Sequence, residues 1–130
     1  MPRKMTFAGE LAAVRRALRG LPGVSERGHY GGPGFFVNGR MFALFWMKEG
    51  RWIFKLPHDR QTILFDVRPE IFAPMRSGRM IWSYVKIANL DAGELKGLLA
   101  QAWREVAPKT LVKSILPGAP SSASGETASE

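Results

Sequence analysis

FFVNGRMFALFWMKEGRWIFKL, residues 35–56, is the stretch on which the fold turns. Asn38-Gly39 and Lys48-Glu49-Gly50 interrupt a run dense in aromatic and aliphatic residues. Asn-Gly favours the paired positive φ angles of a type I′ turn, whose twist matches antiparallel strands. Gly50 supplies a left-handed residue for a second reversal. The stretch therefore predicts three antiparallel strands over residues 34–37, 40–48 and 51–56. In the middle strand Met41, Ala43, Phe45 and Met47 alternate with Phe42, Leu44 and Trp46, so both faces are apolar. A two-layer antiparallel sheet usually leaves one face polar. The pattern thus predicts a central strand whose second face is covered by a helix, a loop or another subunit.

Upstream, Thr6 is placed to cap a helix running to about Arg19, with Phe7, Leu11, Val14, Leu18 and Leu21 forming one apolar stripe. Arg15, Arg16 and Arg19 fall on its solvent side, and Gly20, Pro22 and Gly23 stop it. Residues 24–30 read as a short first strand leading into GHYGGPG, residues 28–34. Four glycines in seven residues invite a phosphate-loop reading, but the Lys-Ser or Lys-Thr ending is missing and a strand follows instead of a helix. A tight or bulged connection fits better.

Downstream, Pro57 ends the sheet run and Asp59 is placed to start a short helix to about Asp66, with Ile63, Leu64 and Val67 packing inward. Pro69 and Pro74 punctuate a stretch read as irregular. Residues 80–87 predict another strand. Asp91 with Glu94 three residues on forms a capping box, and Leu90 against Leu95 a hydrophobic staple. Leu95, Leu98, Leu99, Ala102, Trp103 and Val106 give that helix a broad apolar face ending before Pro108. Residues 109–116 predict one more short turn or helix. The expected organisation is one domain over residues 1–117 and a disordered tail over 118–130, GAPSSASGETASE.

Charge and composition narrow the function classes. The chain carries 19 Lys and Arg against 11 Asp and Glu, a net charge of +8. Two of those acids, Glu126 and Glu130, lie in the tail, where no Lys or Arg occurs, so residues 1–117 carry +10. Such a field attracts polyanions. The absence of cysteine excludes disulfides, thiolate metal sites and Cys-His nucleophiles, and fits a cytoplasmic protein. No apolar run reaches the roughly 18 residues of a membrane span, so no membrane partner is expected.

Catalytic chemistry has little to build on. The two histidines are His29 and His58. HExxH is absent, Ser77, Ser83 and Ser114 lack a G-x-S-x-G setting, and Asp59 and Asp66 read as surface charges. The expectation is a protein that is not an enzyme and holds neither metal nor cofactor. His29 and Tyr30, in the glycine-rich segment, are the candidates for a ligand loop. Trp46, Trp52, Trp82 and Trp103 read as core, with a base-stacking role reserved for any that is exposed beside an arginine.

The segments Leu21-Pro22-Gly23-Val24 and PGFFVNGRMFA (33–43), then Leu56-Pro57, the strand carrying Trp82 and the final helix, occur in an order that resembles the MmcQ/YjbR family. That resemblance, over residues 6–116, implies an α+β domain of CyaY-like arrangement: an antiparallel β-sheet backed by N- and C-terminal helices. It also implies DNA binding, since the arrangement is likened to a double wing. Relatives often place Asn-Lys-x-x-Trp before the late strand; this chain has Ser77-Gly78-Arg79-Met80-Ile81-Trp82, keeping the charge but changing its geometry. The first helix holds one acid, Glu10, so the iron binding associated with the CyaY-like fold is not carried over.

Three functions follow as expectations. The first is DNA or other polyanion binding through basic hairpin rims, with Arg40, Lys48, Arg51, Lys55, Arg76 and Arg79 as phosphate contacts and Arg15, Arg16 and Arg19 secondary. The second is a structural or protein-interaction domain, with a homodimer covering the second apolar face. The third is a ligand binder or small enzyme using residues 28–34.

Overall fold

Asn38 (φ 53°) and Gly39 (φ 76°) form the expected type I′ pair in a computed structural model that describes residues 5–115. They join β2 (Gly32–Val37) to β3 (Arg40–Trp46). The glycine-rich segment is a hairpin as well. Tyr30 (φ 49°) and Gly31 (φ 84°) make a second two-residue turn with two positive φ angles, between β1 (Val24–His29) and β2. β2 thus begins two residues earlier than expected, and the connection is tight, as the glycines suggested.

β3 and β4 (Arg51–Phe54) are both shorter than their predicted spans. The turn between them is closed by the Glu49 and Gly50 amides, which donate to the Trp46 carbonyl at 3.2 and 2.8 Å. β6 (Met80–Val85) pairs with β4, and β5 (Phe72–Ser77) pairs with β6. The result is a six-stranded antiparallel sheet ordered β1-β2-β3-β4-β6-β5. The segment around Pro74, expected to be irregular, is therefore a strand. β5 lies at the edge of the sheet, where a proline's missing N–H is tolerated.

The α-helices contribute to one core. α1 (Phe7–Leu18) is capped by Thr6, whose hydroxyl accepts from Gly9 N at 3.0 Å. α3 (Ala92–Val106) begins with the predicted capping box: Glu94 N donates to Asp91 Oδ1 at 2.7 Å and Asp91 N to Glu94 Oε1 at 3.4 Å. Val14 and Leu18 of α1, and Leu95, Leu99 and Trp103 of α3, pack with Phe35, Val37, Phe42, Ala43, Phe45, Trp52, Phe54, Phe72 and Val85 of the sheet. α4 (Lys109–Ile115) lays Leu111 and Val112 against the same cluster. The predicted tail and the first four residues lie outside the described residues, as does Leu116.

α2 departs most from expectation. It spans His58–Val67 with Pro57 at the N-cap and no side-chain cap, so Asp59 sits inside the first turn and does not start it. Ile63 and Val67 are 54% and 61% exposed. Leu64 packs inward as predicted with Phe65 partly buried beside it, but the other fully buried residue is Gln61, bonded to Ser83 and to the Ile81 carbonyl.

A bulge explains how β3 is apolar throughout. Phe35 pairs with Ala43 and Phe36 with Met41, which leaves Phe42 as the extra residue. Phe42 joins Ala43 and Phe45 in the core, against strict alternation. Leu44 and Ile53, both buried, are outside that core cluster, on the opposite face. No described helix covers that face: the buried residues of α1, α2 and α3 include Val14, Leu64 and Leu99, which pack on the other side.

One glycine in this frame is required by a close approach. A Cβ at Gly32 would press into the carbonyl oxygen of Phe45 and lie 2.8 Å from Met47 Cγ. Backbone cannot yield as a side-chain tip does. Gly32→Ala is expected to cost about 1–3 kcal/mol, read as a lower urea midpoint with unchanged slope. The neighbouring Gly28→Ala, with nothing within 4 Å of its added Cβ, is the control.

Candidate nucleic-acid interface

Antiparallel order fixes where each hairpin tip points. The Tyr30-Gly31 turn and the β3–β4 turn lie at one end of the sheet. The Asn38-Gly39 turn and the Gly78-Arg79 turn between β5 and β6 lie at the other. Gly78 (φ 60°) holds the first central position of its turn, the pattern of type II′.

The six predicted phosphate contacts consequently separate. Arg40 opens β3, Lys55 follows β4, Arg76 is near the end of β5 and Arg79 is in the β5–β6 turn; these four share one end. Lys48 and Arg51 lie at the other, where Arg51 also meets Glu49 at 3.9 Å with both side chains about half exposed. Exposed pairs of that kind contribute little and dissolve in salt. β3 and β6 are separated by one intervening strand, or about 10 Å at the usual ~4.8 Å spacing. Arg40 and Arg79 are thus close enough to meet neighbouring phosphates.

The ladder also sorts these residues by face. Arg40 pairs with Val37, and Arg76 with Ile81, so both occupy the helix-side parity. Arg51 and Lys55 belong to the helix-free face, where their cationic heads lie over Tyr84 at 4.3 Å and over Trp82 at 5.7 Å. Arg27, which the sequence did not single out, lies over Phe36 at 4.0 Å on the same face. Its signal was present: Arg27 is directly opposite Gly34, beside Phe36, once β1 and β2 are recognised as a hairpin. The secondary candidates differ among themselves. Arg15 donates to Glu26 from Nε at 2.9 Å and Nη2 at 2.7 Å, while Arg16 and Arg19 are exposed on α1 and just beyond it.

His29 and Tyr30 sit on the β1–β2 turn. Their rings meet edge-on at 4.6 Å, and Tyr30, 77% exposed, also meets Trp46 at 5.6 Å. A groove of about 480 Å³ runs beside this hairpin. It is lined by Phe7, Leu11, Arg15, Glu26 and Met47 with the glycine backbone, and neither His29 nor Tyr30 lines it. Among the described residues no group of three or more His, Cys, Asp or Glu could hold a metal ion. Arg15 and Arg68 have their pKa values raised, chiefly by hydrogen bonds to Glu26 and Glu94, and neither pair belongs to the Asn38-Gly39 or Gly78-Arg79 turn.

The tryptophans divide evenly. Trp52 and Trp103 are core, and their indole N–H groups donate to Glu10 Oε1 and to the Pro22 carbonyl, each at 3.0 Å. Trp46 and Trp82 are half-buried on the helix-free face. Among the described residues no helix is long and apolar enough to cross a membrane.

Comparison with known proteins agrees with this architecture. No curated protein matches the chain. The crystal structure of Deinococcus radiodurans protein DR2400, with domain DUF419, superposes with a TM-score of 0.66 at 22% identity, covering 83% of this chain and 92% of that one. At that identity the likeness is one of fold. The family model YjbR matches residues 19–105, from the end of α1 through most of α3, and the chain belongs to the YjbR family.

Proposed function

We propose that this protein binds duplex DNA, gripping the phosphate backbone with the two hairpin tips that share one end of the sheet. What supports the reading is that Arg40, Lys55, Arg76 and Arg79 all lie toward that end, Arg40 and Arg76 on the helix side of the sheet and Lys55 on the other. Paired tips three strand spacings apart, roughly 14 Å at the usual spacing, are the geometric content of the double-wing comparison, and the CyaY-like arrangement supplies the scaffold. Lys48 and Arg51, at the opposite end, are outside this grip and contribute through the general positive field. A basic, cysteine-free chain of net charge +8 fits a cytoplasmic location where DNA is accessible.

Titration of a labelled short duplex at several salt concentrations tests the reading. Arg40→Ala and Arg79→Ala are each expected to weaken binding and to lower the salt slope by about one counterion. Lys96→Ala removes the same charge from the exposed side of α3 and should change affinity only slightly. Equal losses in all three variants would leave nonspecific attraction as the whole effect. No binding at low salt would remove the proposal.

A further inference from the structure

The helix-free face of the sheet carries chemistry that the hairpin tips do not use. Three transverse rows can be followed across it. The middle row runs Arg27, Gly34, Leu44, Ile53, Tyr84, Ala73 from β1 to β5. One flanking row holds Ser25, Phe36 and Met41, continues through Lys55, which follows β4 and bonds to the Phe42 carbonyl, and reaches Trp82 and Met75. The other contains Trp46 and Arg51. None of these positions is Asp or Glu.

The aromatic side chains are neither core nor fully exposed. Phe36 lies over Gly34, where a Cβ would meet its ring at 3.1 Å, and Arg27 lies over Phe36, so that ring is already sandwiched. Trp46, Trp82 and Tyr84 are half-buried and stand above a floor of buried Leu44 and Ile53. Among the described residues neither Arg27 nor Lys55 has a carboxylate partner within ion-pair distance. Glu49, in the turn above, reaches the rim, meeting Arg51 at 3.9 Å and the Tyr84 hydroxyl at 3.4 Å.

Charge selects among occupants. A second copy laid face to face would bring Arg27, Arg51 and Lys55 against the same three cations, with only Glu49 on each side to offset them. An uncharged apolar segment would desolvate those cations without pairing them. A ligand with regularly spaced anions and flat apolar rings satisfies both halves of the surface. Single-stranded nucleic acid has that composition, and its unpaired bases can stack on a sheet that a duplex would touch only with its backbone.

We infer that this face is a stacking platform for single-stranded nucleic acid, with Trp46, Trp82 and Tyr84 receiving bases as Lys55 and Arg51 swing from over the Trp82 and Tyr84 rings to meet phosphates together with Arg27. The site shares only Lys55 with the end of the sheet that carries those hairpin tips, and does not depend on their binding duplex DNA.

The test uses the full chain and three probes of equal length: oligo(dT), an abasic oligonucleotide with the same backbone, and a duplex. Oligo(dT) is expected to bind and to quench tryptophan emission, because Trp46 and Trp82 lie on the face. Trp82→Ala and Tyr84→Ala should each weaken oligo(dT) by roughly 5- to 150-fold, with far-ultraviolet circular dichroism and the urea midpoint checking the fold. The abasic probe, titrated against the unaltered protein, should bind at least fivefold more weakly than oligo(dT). Arg79→Ala should leave the quenching intact, which separates this face from the tips. Equal affinity for the abasic probe and oligo(dT) would overturn the inference, because phosphate alone would then account for binding. So would unchanged affinity in the two aromatic variants, or a solution mass showing a dimer that Trp82→Ala dissociates.

Discussion

Trp103→Ala is expected to lower stability by about 3–5 kcal/mol, enough to remove much of a margin that is typically about 5–15 kcal/mol for a domain. Trp103 is completely buried on α3, and its indole N–H donates to the Pro22 carbonyl at 3.0 Å. It therefore acts at two levels. Its rings fill the space between α3 and the sheet, and its one polar atom holds the connection from α1 to β1. That connection has little freedom of its own. Gly23 has φ 77°, and a Cβ there would lie 3.0 Å from Leu111 and 3.2 Å from Val37. Truncation to alanine opens a large cavity and orphans a carbonyl at the same place. Trp103→Phe separates the two costs: it keeps most of the volume and loses the bond, for about 1–3 kcal/mol. Urea denaturation of both variants gives the comparison. A phenylalanine variant as stable as the parent would show that the hydrogen bond contributes nothing and that packing alone anchors the connection.

Features written in neighbouring residues were legible in the sequence. Asn38-Gly39 encodes its turn because Gly and Asn tolerate positive φ, and Asp91 with Glu94 encodes a helix start because the two side chains reach each other's backbone. The apolar stripe of α3 needed only its own periodicity. What escaped depends on distant partners. Pro69 and Pro74 interrupt any local strand pattern, and β5 exists because β6 offers it a ladder at the sheet edge. The bulge at Phe42 rephases β3 only by its pairing with β2, so strict alternation assigned Phe42 to the wrong face.

The candidate site was legible as a composition and not as a place. Six basic residues near turns could be named, and the β3–β4 hairpin already parts Arg40 and Lys55 from Lys48 and Arg51, but the placement of Arg76 and Arg79 beside the first pair follows from the order β4-β6-β5, which no local signal carries. The same order puts Lys55 beside Trp82 and Arg51 beside Tyr84. Two apolar faces on β3 pointed to a covered sheet; in the structure the second face is overlaid by cationic side chains from β1 and β4, and by no described helix.

Gln61→Leu is expected to destabilise the protein by about 2–4 kcal/mol even though it places an apolar side chain of similar size in a buried site. α2 explains why. Ile63 and Val67 face solvent, so this helix is secured by Leu64, by the partly buried Phe65 and by a polar pair that bridges to β6. Ser83 Oγ donates to Gln61 Oε1 at 2.8 Å, and Gln61 Nε2 donates to the Ile81 carbonyl at 2.8 Å, with Gln61 and Ser83 both buried. Leucine leaves the hydroxyl and the carbonyl without that partner, and each costs its desolvation without return. Adding Ser83→Ala removes one of the orphaned groups. The double variant should thus be less destabilised than the sum of the single variants, by about 0.5–3 kcal/mol. Hydrogen exchange supplies a local readout, since α2 amides should exchange faster than those of α3 when the bridge is cut. Strict additivity would show that Gln61 and Ser83 act independently.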